Sequence, residues 1–243
     1  MGFFGRLFGG KGKHNGPTCT AIVPAAGHSV RMGEDKVLLP LGGVPMLLRT
    51  LRALEDCAYI TEIIVVTRGD LIVPVGQLCH EAALTKVRKV VVGGETRSAS
   101  VLAGIREADP AAELIAVHDG DRPFVTGEIL AETILKAAQC GAAAPAVPVK
   151  DTIKRAVDGV VESTPDRSEL FAVQTPQVFE HGLILGALEK GAADQVELTD
   201  DCSAVERIGM KVSLTVGSYE NIKLTTRGDL AVAAAILEGR GEL

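Results

Sequence analysis

The chain has 243 residues, 47% of them hydrophobic, and a formal charge of −6 at pH 7. That is apolar material for one sizeable core, and the acidic balance argues against general nucleic-acid binding, which leaves a basic footprint. No apolar run approaches the roughly 20 residues of a membrane helix, so no membrane partner is expected. Aromatics are only 3% and Trp is absent, so Val, Ile, Leu and Ala must build the core. The five cysteines (Cys19, Cys57, Cys79, Cys140 and Cys202) form no CxxC pair. Their odd number fits reduced thiols and a cytoplasmic location, with no disulfide or zinc framework.

Residues 1–17, MGFFGRLFGGKGKHNGP, mix glycine, cations and three phenylalanines. They lack a continuous apolar core and read as a mobile tail ahead of one domain over 18–243. The stretch 20–36, TAIVPAAGHSVRMGEDK, organises the rest of the chain. Ala21, Ile22 and Val23 suit a buried strand, and Pro24 ends it because proline cannot donate to a sheet ladder. Ala25, Ala26, Gly27 and Ser29 leave the backbone uncovered, and the loop closes with Arg31 and Lys36. Bare N–H groups, small side chains and two cations at a strand end describe a phosphate cradle. The loop is neither a Walker motif nor the glycine fingerprint of dinucleotide folds, which leaves a nicotinamide oxidoreductase poorly supported.

Apolar spacing predicts a helix over 44–54, a buried strand over 62–67 (EIIVVT) and a weak helix over 75–83. A strand over 87–92 (VRKVVV) stops at Gly93-Gly94. A helix over 98–108, a strand over 113–118 (ELIAVH), a helix over 129–138 and an extended segment over 142–149 come next. Short Val/Ile runs alternating with helices imply right-handed βαβ units, hence an α/β, Rossmann-like, mostly parallel three-layer sheet. Ligands bind beyond the carboxyl ends of such strands, where the polar clusters 24–36, 93–100 and 118–123 all fall. Asp119 ends the fourth strand. A carboxylate there can hold Mg²⁺, which keeps waters and bridges phosphate oxygens; a turn or capping aspartate is the plain alternative. His118 reads as a satisfied structural histidine. Residues 150–175 break the rhythm around Asp158-Gly159, a strong hairpin signal, and read as a protruding antiparallel β-arm. Exposed edges pair with other chains, so a homodimer joined through the arm is expected, with an arm folded on its own subunit as the alternative. Helices at about 180–190 and 199–208, a strand over 211–216, a short extended piece over 221–224 and a closing helix over 227–237 complete the chain. Thr226 and Asp229 suit the start of the last helix.

Eight blocks then match one family in order: VPAAGHSVRMGEDK, GGETRSASVLAGI, VHDGDRP, KDTIKR, TPDR, TPQ, TDDCSA and GSYENIKLTTRGDL. Over residues 18–238 the chain resembles the 2-C-methyl-D-erythritol 4-phosphate cytidylyltransferases of the non-mevalonate isoprenoid pathway. The resemblance implies a nucleotidyltransferase-type fold and a homodimer whose arms reach the neighbouring subunit's site. It implies small-molecule substrates, CTP and a polyol phosphate, with Mg²⁺ or another divalent cation as cofactor. Arg31 and Lys36 would hold the triphosphate, Lys223 the α-phosphate, and Asp119 the metal and substrate. Pro24, Ala25, Ala26, Gly27, Gly94, Glu95, Arg97 and Ser100 would form the nucleotide site. Arg122, Thr152, Thr175 and the catalytic Arg167 would grip the methylerythritol phosphate. Ser29, Val30, Val37 and Asp121 depart from the family pattern. Asp121 adds a negative charge at an anion site and could serve as a further metal ligand, pair with Arg122 or weaken substrate binding. Ribitol 5-phosphate cytidylyltransferase and a non-catalytic nucleotide-binding protein remain alternative readings.

Overall fold

The computed structural model of the chain describes residues 16–27 and 36–243, at Lys36 the backbone only. Arg31, the departures at Ser29 and Val30, and all but the last two residues of the expected tail lie outside the described residues. In chain order the elements are β1 (Cys19–Pro24), one 3-10 turn (Lys36–Leu38), β2 (Pro40–Leu41), β3 (Val44–Pro45), α1 (Met46–Asp56) and β4 (Ile60–Thr67). Then come α2 (Ile72–Glu81), β5 (Val87–Val92), α3 (Arg97–Arg106), β6 (Leu114–Val117), α4 (Gly127–Cys140) and β7 (Ala142–Pro148). The arm contains β8 (Arg155–Val157) and β9 (Val160–Ser163), and β10 (Phe171–Val173) leads back to the body. The chain closes with β11 (Gln177–Glu180), α5 (His181–Ala193), α6 (Asp201–Arg207), β12 (Ser213–Val216) and α7 (Arg227–Arg240).

Among the described residues, eight strands share one sheet. β5, β4, β1 and β6 are neighbours in parallel, and β12 is parallel to β7. β11 runs antiparallel between β6 and β7. The fold is therefore α/β with a mostly parallel sheet, as expected. Alternation along the strands divides the core in two. Ala21, Val23, Ile63 and Val65 face Leu47, Leu51 and Ile134 of α1 and α4. Ile22, Ile64, Val66 and Ile115 face Val101, Ile105, Ile184 and Val205 of α3, α5 and α6. Gly104 permits the second packing: a Cβ there would stand 2.6 Å from Ile22 Cγ2 and 2.7 Å from Val66 Cγ2. A separate small cluster joins α7 to Leu41, Met46, Phe124 and Leu224.

The sequence pattern gives no sign of β11 as a strand, and its place depends on Pro145. Within a strand, the N–H and C=O of one residue point to the same edge. Pro145 accepts from Gln174 N–H at 2.8 Å but has no N–H to return. The ladder breaks at that point. Val173 pairs with Ala146, and pairing resumes at Val178 opposite Ala143, which leaves two extra residues on the incoming side. β10 and β11 are thus one interrupted path along β7, and the interruption turns Gln174 and Thr175 inward. Both are nearly fully buried.

The hairpin at Asp158-Gly159 is present, both residues at positive φ, and β8 and β9 pair only with each other among the described strands. Residues 221–224 form no strand; they make an irregular loop held by side chains. The closing helix starts as expected, with Asp229 Oδ2 accepting from Thr226 N–H at 2.8 Å.

Candidate active site

Three loops converge beyond the carboxyl ends of β1, β4 and β5. Ala25 N–H donates to Val66 O (2.7 Å), the Thr67 hydroxyl to Ala25 O (3.2 Å), and Gly93 N–H to Thr67 O (2.8 Å). The Gly93-Gly94 backbone lies against the start of α3. A Cβ on Gly93 would stand 2.6 Å from Ser100 Oγ, and one on Gly94 2.6 Å from Ala99 Cβ, so larger residues would force the two apart. Thr96 caps α3 by accepting from Ala99 N–H at 3.1 Å. Between these loops and residues 119–121 and 223–225 lies a cleft of about 470 Å³.

Asp119 forms the polar centre of that cleft. Its Oδ1 lies 3.1 Å from Arg97 NH2, and its Oδ2 lies 2.9 Å from Lys223 Nζ and 3.5 Å from Arg122 Nε. Three cations from three separate parts of the chain thus surround one carboxylate that is 8% exposed. Burial pushes its pKa up, but Arg97 and Lys223 more than offset this and hold it well below the usual carboxylate range. The Asp119 N–H donates to Thr175 Oγ1 (3.1 Å). His118 fixes the hydrogen-bond pattern: its Nε2 faces the carbonyl of Arg122, an acceptor only, and must carry the proton. Nδ1 therefore accepts from the Thr175 hydroxyl at 3.1 Å. Burial pushes the His118 pKa down to about 4, which keeps the ring neutral. Asn221, fully buried, donates to Thr175 O (3.0 Å) and lends its own carbonyl to Arg122 NH1 (2.8 Å). Leu224 N–H donates to Asp121 O (2.9 Å), which sets Lys223 beside Asp119.

The sequence of residues 19–239 matches the profile of the 2-C-methyl-D-erythritol 4-phosphate cytidylyltransferase family. The chain belongs to that family. The relative of that name from Caldanaerobacter subterraneus subsp. tengcongensis is 45% identical over 226 residues, covering 90% of this chain and 98% of the relative. The Geobacillus kaustophilus relative is 46% identical over 222 residues, covering 90% and 97%. Among solved structures, 4-diphosphocytidyl-2C-methyl-D-erythritol synthase from Anaerococcus prevotii superposes with a TM-score of 0.83 at 34% identity, covering 91% of this chain and 96% of that one.

Of the site residues expected for the family, Pro24, Ala25, Ala26, Gly27, Gly94, Glu95, Arg97, Ser100, Asp119 and Lys223 all line the one cleft. Arg122 and Thr175 stand behind Asp119 and brace it. Thr152 and Arg167 do not join them: both are exposed on the arm, where Arg167 NH1 donates to Lys150 O at 2.9 Å. Lys36 opens the 3-10 turn Lys36–Leu38; its side chain, like Arg31, lies outside the described residues. Sequence reasoning assigned no role to Thr67, Arg68 or Thr225, which line the cleft, nor to Asn221, Gln177 and Asp201 around it. The motif order pointed to the last three only as parts of longer blocks. Their partners lie tens of residues away, and no local pattern marks them.

Asp121 is 7% exposed and lines the cleft with Asp119. Two buried carboxylates two residues apart suit a hard divalent cation that takes one or two protein oxygens and completes its shell with phosphates and water. Among the described residues no cluster of three or more His, Cys, Asp or Glu could cage a metal alone. The donor set therefore fits Mg²⁺ arriving with a nucleotide.

Proposed function

We propose that this protein joins CTP and 2-C-methyl-D-erythritol 4-phosphate to give CDP-methylerythritol and pyrophosphate, a step of non-mevalonate isoprenoid precursor synthesis. The observation that carries the reading is the Asp119 carboxylate held among Arg97, Arg122 and Lys223 in a glycine-flanked cleft, in a chain of this family. A phosphate oxygen of the polyol phosphate attacks the α-phosphorus of CTP. The bond from that phosphorus to the bridging oxygen breaks, and the electron pair leaves with pyrophosphate. The attacking phosphate is already ionised, so no general base is needed. Both reactants are anions, and catalysis rests on positioning and charge neutralisation.

Lys223 is placed to exchange its partner, Asp119, for the α-phosphate once CTP enters. Arg31 and Lys36 hold the β- and γ-phosphates from the loop after β1. Pro24, Ala25, Ala26 and Gly27 form one wall for the nucleoside, and Gly94, Glu95, Arg97 and Ser100 the other. Backbone amides and carbonyls beside the glycines can read the edge of a pyrimidine. Asp119, with Asp121, would hold Mg²⁺, which when bound spreads the phosphate charge. Arg122, braced by Asn221, would reach the polyol phosphate by turning from Asp119, and Thr175 keeps Asp119 in register.

The arm supports a homodimer. Its residues Ile153, Val157, Val160 and Val161 are exposed apolar side chains on a hairpin that pairs with no other described strand of its own subunit. We infer that Thr152 and Arg167 complete the polyol phosphate site of the neighbouring subunit. One domain over 18–243 and a cytoplasmic location complete the proposal.

A pyrophosphate-release assay across the four nucleoside triphosphates, with methylerythritol phosphate or ribitol 5-phosphate and with or without Mg²⁺, tests it. The expected result is turnover with CTP, methylerythritol phosphate and metal. Turnover of ribitol 5-phosphate alone would replace the substrate, and no release with any pair would leave the non-catalytic alternative.

A further inference from the structure

Two residues in motifs shared with the family, Gln177 of TPQ and Asp201 of TDDCSA, have no part in the mechanism above. Asp201 is fully buried at the start of α6, yet its Oδ2 stands 2.8 Å from Arg97 NH1. The same guanidinium reaches Asp119 Oδ1 with NH2 at 3.1 Å. Arg97 thus spans two buried carboxylates, one at the reacting centre and one behind it. Gln177 fixes the rear carboxylate. Its side-chain oxygen accepts from the N–H groups of Asp201 (3.0 Å) and Cys202 (2.9 Å), and its amide donates to Asp200 Oδ2 (2.8 Å). Gln177 in turn pairs across the sheet with Val117, two residues before Asp119. Both ends of the span are therefore set by the β6–β11 pair.

We propose that Asp201 is a positioning residue for nucleotide binding, acting through Arg97. It anchors one end of the guanidinium, so that the other end engages Asp119 and the exposed edge stays turned to the cleft. The planar fork of arginine can hold both carboxylates at once, whereas a lysine ammonium at this position meets one of them as a point charge. A buried carboxylate that holds only one cation is a poor way to gain stability, because its desolvation opposes the attraction. Its contribution lies in orientation. This inference rests on the nucleotide site proposed above.

Calorimetric titration of CTP, without the second substrate, into wild type, Asp201→Asn, Arg97→Met and the double variant tests it, with melting temperatures alongside. Loss of one charged anchor should weaken CTP about tenfold in Asp201→Asn. The melting temperature should stay within about 2 °C or rise, since a buried charge is removed. In the Arg97→Met background the same substitution should change binding by less than about twofold, because the residue through which it acts is gone. Arg97→Lys, which cannot span both carboxylates, should bind CTP as weakly as Asp201→Asn. Wild-type affinity in Asp201→Asn or in Arg97→Lys overturns the inference. So does an undiminished effect of Asp201→Asn in the Arg97→Met background, or a loss of binding that tracks a fall in melting temperature. If wild type itself fails to bind CTP, the nucleotide site is wrong; if only the variants match wild type, the site stands and Asp201 drops out.

Discussion

The cleft and the arm are built on opposite plans. In the cleft, cations from α3, the loop after β6 and the loop before α7 meet at one buried carboxylate. The arm is the reverse: apart from partly buried Pro165 and Leu170, residues 150–173 are exposed, including Phe171 at 44% and Val160 at 69%. The charges of the first region are paired within one chain, while the apolar side chains of the second stay exposed. The lesson is that the polar cleft closes within one subunit, whereas the arm keeps its apolar side chains on the surface, which is why the proposed grip on the second substrate is assigned to another copy.

The largest effect should separate the regions at once. Lys223→Ala removes a cation from Asp119 and, on the proposed mechanism, from the α-phosphate, and pyrophosphate release should fall by about a hundredfold or more. Asp119 keeps Arg97 and Arg122, so circular dichroism and the melting temperature should stay near wild type.

Stability should respond in the body and not in the arm. Ile64 is fully buried in the centre of the sheet, and Ile64→Ala should cost about 2–5 kcal/mol in denaturant unfolding. Val160→Ala on the arm should change the subunit's unfolding by less than about 0.5 kcal/mol. Its effect should appear instead as a dissociation constant measured by sedimentation; an unchanged constant would remove Val160 from the dimer contact.

Acid should sharpen the contrast within the cleft. Burial lowers the His118 pKa from 6.5 to about 4, so the unfolded chain binds the extra proton first and stability falls as pH drops through that window. Burial raises Asp201 from 3.8 to about 6, so here the folded state binds first and stability rises as pH drops from about 6 towards 4. The two oppose one another. Asp201→Asn removes the second contribution, and the variant should lose up to about 3 kcal/mol more than wild type on going from pH 7 to pH 4. Asp119, held low, contributes stability that is lost only below its unfolded range and does not confuse the comparison. Urea titrations at pH 7, 6 and 4 read the difference, and parallel curves would contradict it.

The arm's own chemistry should show in substrate affinity. Arg167 donates to Lys150 O within the exposed arm, so Arg167→Ala should leave folding intact. The KM for the polyol phosphate should rise about tenfold with little change for CTP. Mixed with Lys36→Ala, it should recover activity through hybrid dimers; failure to do so would place Arg167 in its own subunit's site.

Much of this was legible in the chain. The alternation of Val/Ile runs with helical spacing is a local property, and it marked the parallel strands and most helices to within a few residues. The small residues after β1, the Gly93-Gly94 break and Asp119 at a strand end pointed to the cleft, because ligands of such sheets bind beyond the carboxyl ends of the strands. The turn at Asp158-Gly159 marked the arm for the same local reason.

What the sequence could not show depends on closure between distant segments. β11, QVFE, has only Val178 and Phe179 as apolar residues and no Val/Ile run, and it becomes a strand where β6 and β7 leave a slot that it fills antiparallel. Pro145 reads as one of two prolines, with Pro148, in an apolar run. Only beside β10 does its missing N–H become the break that turns Thr175 towards Asp119. The span from Asp119 through Arg97 to Asp201 joins the loop after β6, α3 and α6, and no window of sequence contains it. Periodicity records which face a residue turns to the core. Which charges meet across that core is settled only when the sheet and its loops have closed.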